Sequence, residues 1–436
     1  MLKRFLVGFL TIAGWAPAVA QNQFDNIQKG RARQMLKDLA DGVRKNYYDP
    51  KFHGVDLEAR IKTAEERIGD AAGLGQAFAA IADVLDGLND SHTFFVPPAR
   101  NVRREYGYEE QMIGDHCFVT AVRPGGPASE KLAPGDEVIA WEGSAPARDT
   151  LWKMTYAFNQ LYSLPVQHLV VRGPGGAERK VEITALEHQQ KRVLDLTNGN
   201  GDLWQLVRDE ENSEQMNRQR IREFSDKLMV WKMPEFELTD EEVDRILKLA
   251  HKFSFLAIDL RGNPGGLIKT LQHIAGGVMD HDVTIAKRTG RKPDLKPITA
   301  KSRGAAGFSG KLIVLIDSRS ASAAELFARM VQLEHRGTVL GDHSSGSVME
   351  SLYYPWHQGV DTQFYYGASI TEADLVMADG KSLEHTGVIP DELILPSPED
   401  LDMERDPVLA RAARLAGLDL SPAAAGKLFP IEWKKE

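Results

Sequence analysis

Two strand-to-helix junctions in the sequence contain the residue types that acyl-transfer chemistry needs. Residues 259–266 read Asp-Leu-Arg-Gly-Asn-Pro-Gly-Gly, and residues 317–325 read Asp-Ser-Arg-Ser-Ala-Ser-Ala-Ala-Glu. The first amides of a helix lack partners within the helix, and the helix dipole favours negative charge there. Glycine also lets a backbone approach a substrate without a Cβ in the way. The junctions therefore predict an environment for an oxyanion, although the glycine turn taken alone is better explained as a plain strand-to-helix connection.

A histidine follows a helical run and precedes two prolines. Residues 88–93 read Leu-Asn-Asp-Ser-His-Thr, and Pro97 and Pro98 come shortly after. Because proline cannot continue a helix, the helical run must end near these residues. We therefore expect His92 on a loop, where its side chain can meet residues that are distant in sequence.

The elements that must position these residues fall into three regions. Residues 24–100 are predicted to be helical, since apolar residues recur there at helical spacing. Residues 105–188 carry short apolar runs, such as 117–122 and 138–141, separated by glycine and proline, which predicts a small β-rich domain. Between these two runs, Pro127 and Ala128 predict the start of a helix. The length of the chain also favours two or three domains over one.

The remaining residues, 189–436, are predicted to form the third region. A polar stretch at 189–226 links it to the β-rich domain. Beyond this link, strand and helix patterns alternate, and Thr239 with Glu242 forms a capping box before an amphipathic run. Repeated strand-then-helix order predicts a layered α/β core in a multidomain α/β protein.

Both junctions resemble those of the C-terminal processing (tail-specific) peptidase family of serine peptidases. Residues 383–391, Leu-Glu-His-Thr-Gly-Val-Ile-Pro-Asp, resemble a third signature of the family. The resemblance covers nearly the whole chain after residue 20 and implies a crotonase-like α/β core. It also implies Ser322 as the nucleophile, with Ser320 as the competing serine.

The same resemblance implies the groups that hold the developing negative charge. The amide of Ala323 supplies one donor, and Gly265 or Gly266 supplies the other. Glu325 and Asp391 belong to the family signatures as well. An acid in the first turn of a helix and an acid in a turn are more often structural, so neither is expected to be catalytic.

The base expected from the family is missing. The family usually has a lysine where this chain has Ser347, and a serine hydroxyl cannot take up a proton near neutral pH. His92 is the best substitute because an imidazole pKa of about 6.5 suits a base. The segment around it resembles the histidine loop of the Ser-His-Glu branch, which includes the tricorn protease and the chlamydial protease-like activity factor. That branch implies Glu384 as the orienting acid.

Alternatives to these roles remain open from the sequence. His343 and His385 are other candidate bases, and His92 also fits a capping or core role. The missing lysine favours a catalytically inactive peptide- or ligand-binding protein on the same fold, as in retinoid-carrier repeats. The joint presence of Ser322, His92, Glu384 and the glycine turn favours a serine-type endopeptidase that acts on polypeptides.

The β-rich domain at 105–188 resembles a PDZ domain. Such a domain takes a peptide as an added strand and captures its terminal carboxylate with backbone amides. The resemblance places the carboxylate-binding loop at the residues Tyr106, Gly107 and Tyr108. A structural β-domain without a ligand is the alternative.

The termini and the composition limit the other functions. Residues 1–20 have a basic start, an apolar run and a small-residue cleavage site, which predicts a signal peptide and a periplasmic or secreted protein. An uncleaved anchor is the alternative. A net charge of −9 disfavours nucleic acid as a partner. With Cys117 as the only cysteine, and without HExxH, Walker or dinucleotide motifs, the sequence predicts no metal and no cofactor.

Overall fold

A computed structural model describes residues 24–100, 102–189, 219–359, 363–431 and 433. The expected signal peptide at 1–20 lies outside these residues, as does most of the expected link at 189–226. Within the described ranges, no helix combines the length and the apolar character that crossing a bilayer requires.

The N-terminal region is a group of three helices that pack on a strand of the core. Their apolar faces share one cluster with buried residues of a long strand near the C-terminus, including Tyr366, Ala368 and Ile370. A short strand, β1, follows the helices and pairs antiparallel with that long strand. The helices are α1 (Asn26–Asn46), α2 (Leu57–Asp70) and α3 (Leu74–Asp86), and β1 is Phe94–Val96.

A five-stranded antiparallel sheet forms the next region, which we call the five-stranded module. It is entered and left through a separate pair of strands, β2 and β8. The strands of the module lie in the order β3-β4-β5-β6-β7, so β3 is at one edge. The elements are β2 (Val102–Glu105), β3 (Tyr108–Ile113), β4 (His116–Val122), β5 (Glu137–Trp141), α4 (Leu151–Thr155), β6 (Val166–Arg172), β7 (Glu178–Thr184) and β8 (Leu186–Gln189).

A six-stranded sheet is the centre of the third region. Its order is β18-β15-β14-β11-β10-β9, and all neighbours are parallel except β9 with β10. One face packs on α5, α6 and α7, and the other packs on α9 and α10. The strands are β9 (Arg220–Phe224), β10 (Leu228–Lys232), β11 (Phe255–Asp259), β14 (Lys311–Ile316), β15 (Gly337–Gly341) and β18 (Glu392–Leu393). The helices are α5 (Asp240–Ala250), α6 (Ile268–Val278), α7 (Ala323–Leu333), α8 (Pro398–Asp402), α9 (Pro407–Leu415) and α10 (Pro422–Gly426).

A second five-stranded sheet completes the core and joins it to the N-terminal helices. Its long central strand, β17, pairs with β1, β12 and β16. Because β1 comes directly after residues 88–93, this pairing fixes the histidine loop to the core. The strands not yet given are β12 (Val283–Gly290), β13 (Ile298–Ala300), β16 (Met349–Gln358) and β17 (Phe364–Met377).

The mixed α/β, multidomain character expected from the sequence is confirmed, with local differences. The predicted capping box is present, since the Glu242 amide donates to Thr239 Oγ1 at 3.2 Å and Thr239 N donates to Glu242 Oε2 at 2.9 Å. The prediction of a helix that starts at Pro127 is wrong, because residues 127–131 form turns. The module instead has α4, continued by a π-helical turn at Tyr156–Leu161. The end of the expected link forms β9, whose pairing with β10 outweighs its polar composition.

Candidate active site

Ser322 immediately precedes α7 and caps its N-terminus. Its φ of 54° and ψ of −116° cost about 1–3 kcal/mol for a residue other than glycine, and such strain is concentrated at functional sites. Its amide donates to Ser347 O at 2.8 Å and to Glu325 Oε2 at 3.0 Å, which holds the strained turn. The competing Ser320 is fully buried and donates its hydroxyl to Leu260 O at 2.8 Å. Ser320 therefore stabilises the junction through this buried hydrogen bond.

Glu325 connects the nucleophile junction to the following loop. This fully buried carboxylate accepts hydrogen bonds from the amides of Ser322, Gly346 and Ser347 and from the hydroxyl of Ser344, at 2.6 to 3.0 Å. Burial raises the pKa of Glu325 to about 7, whereas the four donors favour its ionised form. The expected structural role agrees with these contacts.

The glycine turn lies directly against Ser322. Gly265 has a φ of 105°, and a Cβ added to it would lie 2.7 Å from the Cβ of Ser322. Gly266 has a φ of 135°, and its added Cβ would lie 2.7 Å from Phe236 O. Both positions therefore require glycine for conformation and for space.

The amides near Ser322 differ in their hydrogen bonding. Gly265 N donates to Asn263 Oδ1 at 2.8 Å, and Asn263 is itself buried and held through Met233 O at 2.9 Å. Among the hydrogen bonds of the described residues, none uses the amide of Gly266 or that of Ala323, the first residue of α7. Those two amides remain available to a ligand.

Asp90 shapes the loop that carries His92. Its Oδ1 accepts from the amides of His92 at 3.0 Å and Thr93 at 2.7 Å, and from the Thr371 hydroxyl at 2.8 Å. Since Thr371 is on β17, the loop is attached to the core at this point. Asp90 was not among the site residues predicted from the sequence.

Ser91 joins His92 to Glu384. Its hydroxyl lies 2.8 Å from His92 Nδ1 and donates to Glu384 Oε2 at 2.9 Å, while its amide donates to Glu384 Oε1 at 2.7 Å. Glu384 Oε2 also accepts from the amide of Val348 at 2.8 Å. Sequence reasoning missed Ser91, and its adjacency to His92 in the Asp-Ser-His segment was the only signal.

The surrounding protein shifts the pKa values of His92 and Glu384. Desolvation by the surrounding protein lowers the pKa of His92 to about 4, against the attraction of Asp90. Burial raises the pKa of Glu384, whose side chain is only 9% exposed, and its hydrogen bonds from Val348 and Ser91 oppose that shift. Near neutral pH His92 is therefore uncharged, the form that can accept a proton.

The other histidines are placed differently. His385 is half exposed, and its Nε2 lies 2.9 Å from Asn89 O and 3.7 Å from Glu384 Oε1. His343 follows β15, and its carbonyl accepts from Arg148 of the five-stranded module at 3.1 Å. Within the described residues, no hydrogen bond joins either ring, or that of His92, to the Ser322 hydroxyl.

The loop that was expected to bind a terminal carboxylate lies between β2 and β3. The Tyr106 hydroxyl donates to Leu164 O at 2.6 Å, and the Tyr108 hydroxyl donates to Gln167 Oε1 at 2.9 Å. Gly107 has a φ of 75° and accepts from the amide of Arg123 at 2.8 Å. These side chains thus brace the loop from within the module.

Comparison with known proteins gives a family match that covers the Ser322 junction. Residues 227–394 match the family model described as Peptidase family S41. The S41 match contains the glycine turn, Ser322 and Glu384, whereas His92 and Ser91 lie before it in the chain.

Curated proteins are similar to this chain at low identity. The tail-specific protease of Haemophilus influenzae is 23% identical over 273 residues, which are 59% of this chain and 36% of that protein. The chloroplastic C-terminal processing peptidase of Tetradesmus obliquus is 23% identical over 369 residues, 80% of this chain and 74% of that protein. The chain spans about a third of the length of the first three curated relatives.

Solved structures share the fold beyond the S41 match. Mature CPAF complexed with lactacystin has a TM-score of 0.63 at 15% identity, covering 86% of this chain and 95% of its own. The photosystem II D1 C-terminal processing protease has a TM-score of 0.51 at 20% identity, covering 91% and 99% respectively. The N-terminal helices and the five-stranded module are thus part of a fold that these proteins share.

Proposed function

We propose that this chain is a serine-type endopeptidase that forms an acyl-enzyme on Ser322, with His92 as the base and Glu384 as the orienting acid. One observation supports the proposal. The Ser347–Val348 peptide group accepts from the Ser322 amide through its carbonyl and donates to Glu384 through its N–H, and the Ser91 hydroxyl links Glu384 to His92. A strained serine is therefore linked to an acid and a histidine from distant segments of the chain.

The relay determines which nitrogen of His92 acts. The single Ser91 hydroxyl proton goes to Glu384, so its oxygen accepts from His92 Nδ1–H. His92 Nε2 then carries the lone pair and takes the Ser322 proton as Oγ bonds to the substrate carbonyl carbon. The same proton passes to the leaving amine when the C–N bond breaks, and water repeats the sequence to release the acid.

The developing oxyanion has two donors in this proposal. The amides of Ala323 and Gly266 flank Ser322, and one such donor contributes about 3 kcal/mol. Gly265 keeps the position open, while its own amide stays bonded to Asn263. Of the two glycines considered from the sequence, Gly266 is therefore the proposed donor.

The rest of the proposed organisation follows the sequence. Residues 24–100 form the helical region, residues 105–188 a PDZ-like domain that takes a polypeptide as an added strand, with Tyr106, Gly107 and Tyr108 at its terminal carboxylate, and residues 189–436 a crotonase-like catalytic core. The Ser318 hydroxyl and Arg319, just before Ser322, donate to the Met112 and Glu110 carbonyls of β3. These bonds attach the five-stranded module to the start of the catalytic junction. The leader would direct the protein to the periplasm or outside the cell.

A fluorophosphonate probe tests the proposal. We expect covalent labelling that is lost in Ser322→Ala. Ser347→Ala is the matched control, since the bonds of Ser347 to Ser322 and Glu325 use only its backbone, and it should keep labelling. Absence of labelling in folded wild-type protein that still binds polypeptide would favour the non-catalytic binding protein instead.

A further inference from the structure

A cavity of about 600 Å³ lies where α1 and α3 meet the segment that enters the five-stranded module and the segment that precedes β6 within it. Residues 98–100 and 162–165 and the side chain of Phe364 form the rest of its wall. The volume is typical of small-molecule sites. No residue of the proposed peptidase site lines the cavity.

The charged residues that line the cavity are both cationic. Arg31 and Arg100 contribute to the wall, and no lining residue is acidic. The Arg31 guanidinium lies 4.5 Å from the centre of the Phe364 ring. Within the described ranges, neither arginine forms an ion pair with a carboxylate, and Arg100 donates to Leu161 O. Desolvation lowers the pKa of Arg100, which means that the surrounding protein destabilises its charged form. A bound anion would stabilise that charged form.

The start of α3 adds to the positive potential. Gly73 caps this helix and has no side chain to accept from its first amides. Leu74 and Gly75, in that first turn, line the cavity. Unpaired amides and the helix dipole favour an anion here.

Most of the remaining wall is apolar. The wall includes the buried side chains of Ala32, Met35 and Phe78. It also includes Leu74 and Tyr162, which are 44% and 50% exposed. Large apolar side chains left exposed beside a cavity mark a surface that an apolar ligand can cover. The wall therefore combines an apolar body with a cationic end.

Hydrogen bonds fix the segment before β6, which forms part of the cavity wall. Arg104 Nη1 donates to Ser163 O and the Tyr106 hydroxyl donates to Leu164 O, both at 2.6 Å. These bonds fix the backbone of the wall before any ligand arrives. A site formed in advance loses less conformational freedom on binding.

We propose that this cavity binds an aliphatic carboxylate of the fatty-acid type. The carboxylate would lie near Arg31, Arg100 and the first turn of α3, and the chain would cover Met35 and Phe78. A peptide with a free C-terminus has the same charge, but it brings backbone amides that need partners in an otherwise apolar wall.

Isothermal titration calorimetry with the purified full chain tests the proposal. Dodecanoate, kept below its micellar concentration, is the ligand, and dodecan-1-ol and dodecyltrimethylammonium are the controls. We expect dodecanoate alone to bind strongly, with affinity rising roughly fourfold per methylene from octanoate to dodecanoate. Equal binding of the alcohol, or affinity independent of chain length, would overturn the proposal.

Variants of the two arginines locate the site. Arg31→Met and Arg100→Met should each weaken dodecanoate binding roughly tenfold or more, because each removes a charge-assisted contact. Arg33→Met is the control, since Arg33 is exposed on the same helix and does not line the cavity. Circular dichroism checks folding, and Arg100→Lys, which should retain most of the affinity, serves if Arg100→Met unfolds. Wild-type affinity in both methionine variants, or binding of an apolar peptide without binding of dodecanoate, would refute the site.

Discussion

The amide of Ser322 donates to the carbonyl of Ser347 at 2.8 Å, so the residue that occupies the expected lysine position contacts the nucleophile through its backbone. The next amide along, that of Val348, donates to Glu384 at 2.8 Å. The single peptide group between Ser347 and Val348 therefore connects Ser322 to Glu384. A lysine side chain is not needed for this connection.

Replacement of His92 by alanine should lower kcat far more than KM, by roughly 10²–10⁴-fold, because general-base assistance acts in the transition state. Steady-state kinetics on a polypeptide substrate measure both constants. His343→Ala is the matched control and should retain the wild-type kcat. An unchanged kcat in His92→Ala would remove this residue from the mechanism.

The acid limb of the pH profile should lie below the ordinary histidine range. Desolvation lowers the pKa of His92 to about 4, so the neutral base persists as the pH falls through 6.5 and is lost only near 4. The dependence of kcat/KM on pH reports this ionisation in the free enzyme. An acid limb centred at 6.5 or above would contradict the expected environment of His92.

Replacement of Ser91 by alanine should interrupt the relay between Glu384 and His92. Loss of a hydrogen bond to a charged group corresponds to roughly 10–100-fold in kcat. Ser91→Thr keeps the hydroxyl and should recover most of the rate. If Ser91→Ala and the wild type turn over equally fast, Glu384 does not act through this hydroxyl.

Gly265→Ala should abolish labelling of Ser322 by a fluorophosphonate. The new Cβ would lie 2.7 Å from the Ser322 Cβ and displace the nucleophile. Gly262→Ala is the control, because Gly262 also has a positive φ, 75°, but nothing lies within 4 Å of its added Cβ. Both variants should lose about 1–2 kcal/mol of unfolding free energy from backbone strain. Retained labelling in Gly265→Ala would show that the junction tolerates the added methyl group and would contradict this prediction.

Glu325→Ala should destabilise the protein by about 3 kcal/mol or more, since it leaves buried donors without an acceptor. The donors include the amides of Gly346 and Ser347 and the hydroxyl of Ser344. Chemical denaturation measures the loss. Glu334→Ala, at the C-cap of the same helix, is the control, since the Glu334 carboxylate bonds to the exposed ring of His281 and not to buried amides. A loss no larger than that of the control would contradict the role assigned to Glu325.

Several features of the site could be predicted from local patterns. Apolar spacing indicated β14 and α7, and a serine at the boundary between them was therefore expected at a helix N-terminus. The positive φ at Gly265 and Gly266 agrees with the glycines in the turn. The predicted helix at Pro127 failed because proline and alanine are equally compatible with the turns that the module forms there.

Sequence alone determined which residue types were available, namely a serine at a helix start, a glycine turn, a loop histidine and an acid in a third segment. Only the tertiary structure decided how they connect. The pairing of β1 with β17 carries residues 90–92 to the core, and Ser91 reaches Glu384 across 293 positions of the chain. Neither Ser91 nor the bonded state of the Gly265 amide follows from sequence spacing. Ser91 depends on Glu384, which strand pairing and loop closure bring within 3 Å. The Gly265 amide bonds to Asn263, two residues earlier, whose side chain is in turn held by the distant Met233 carbonyl.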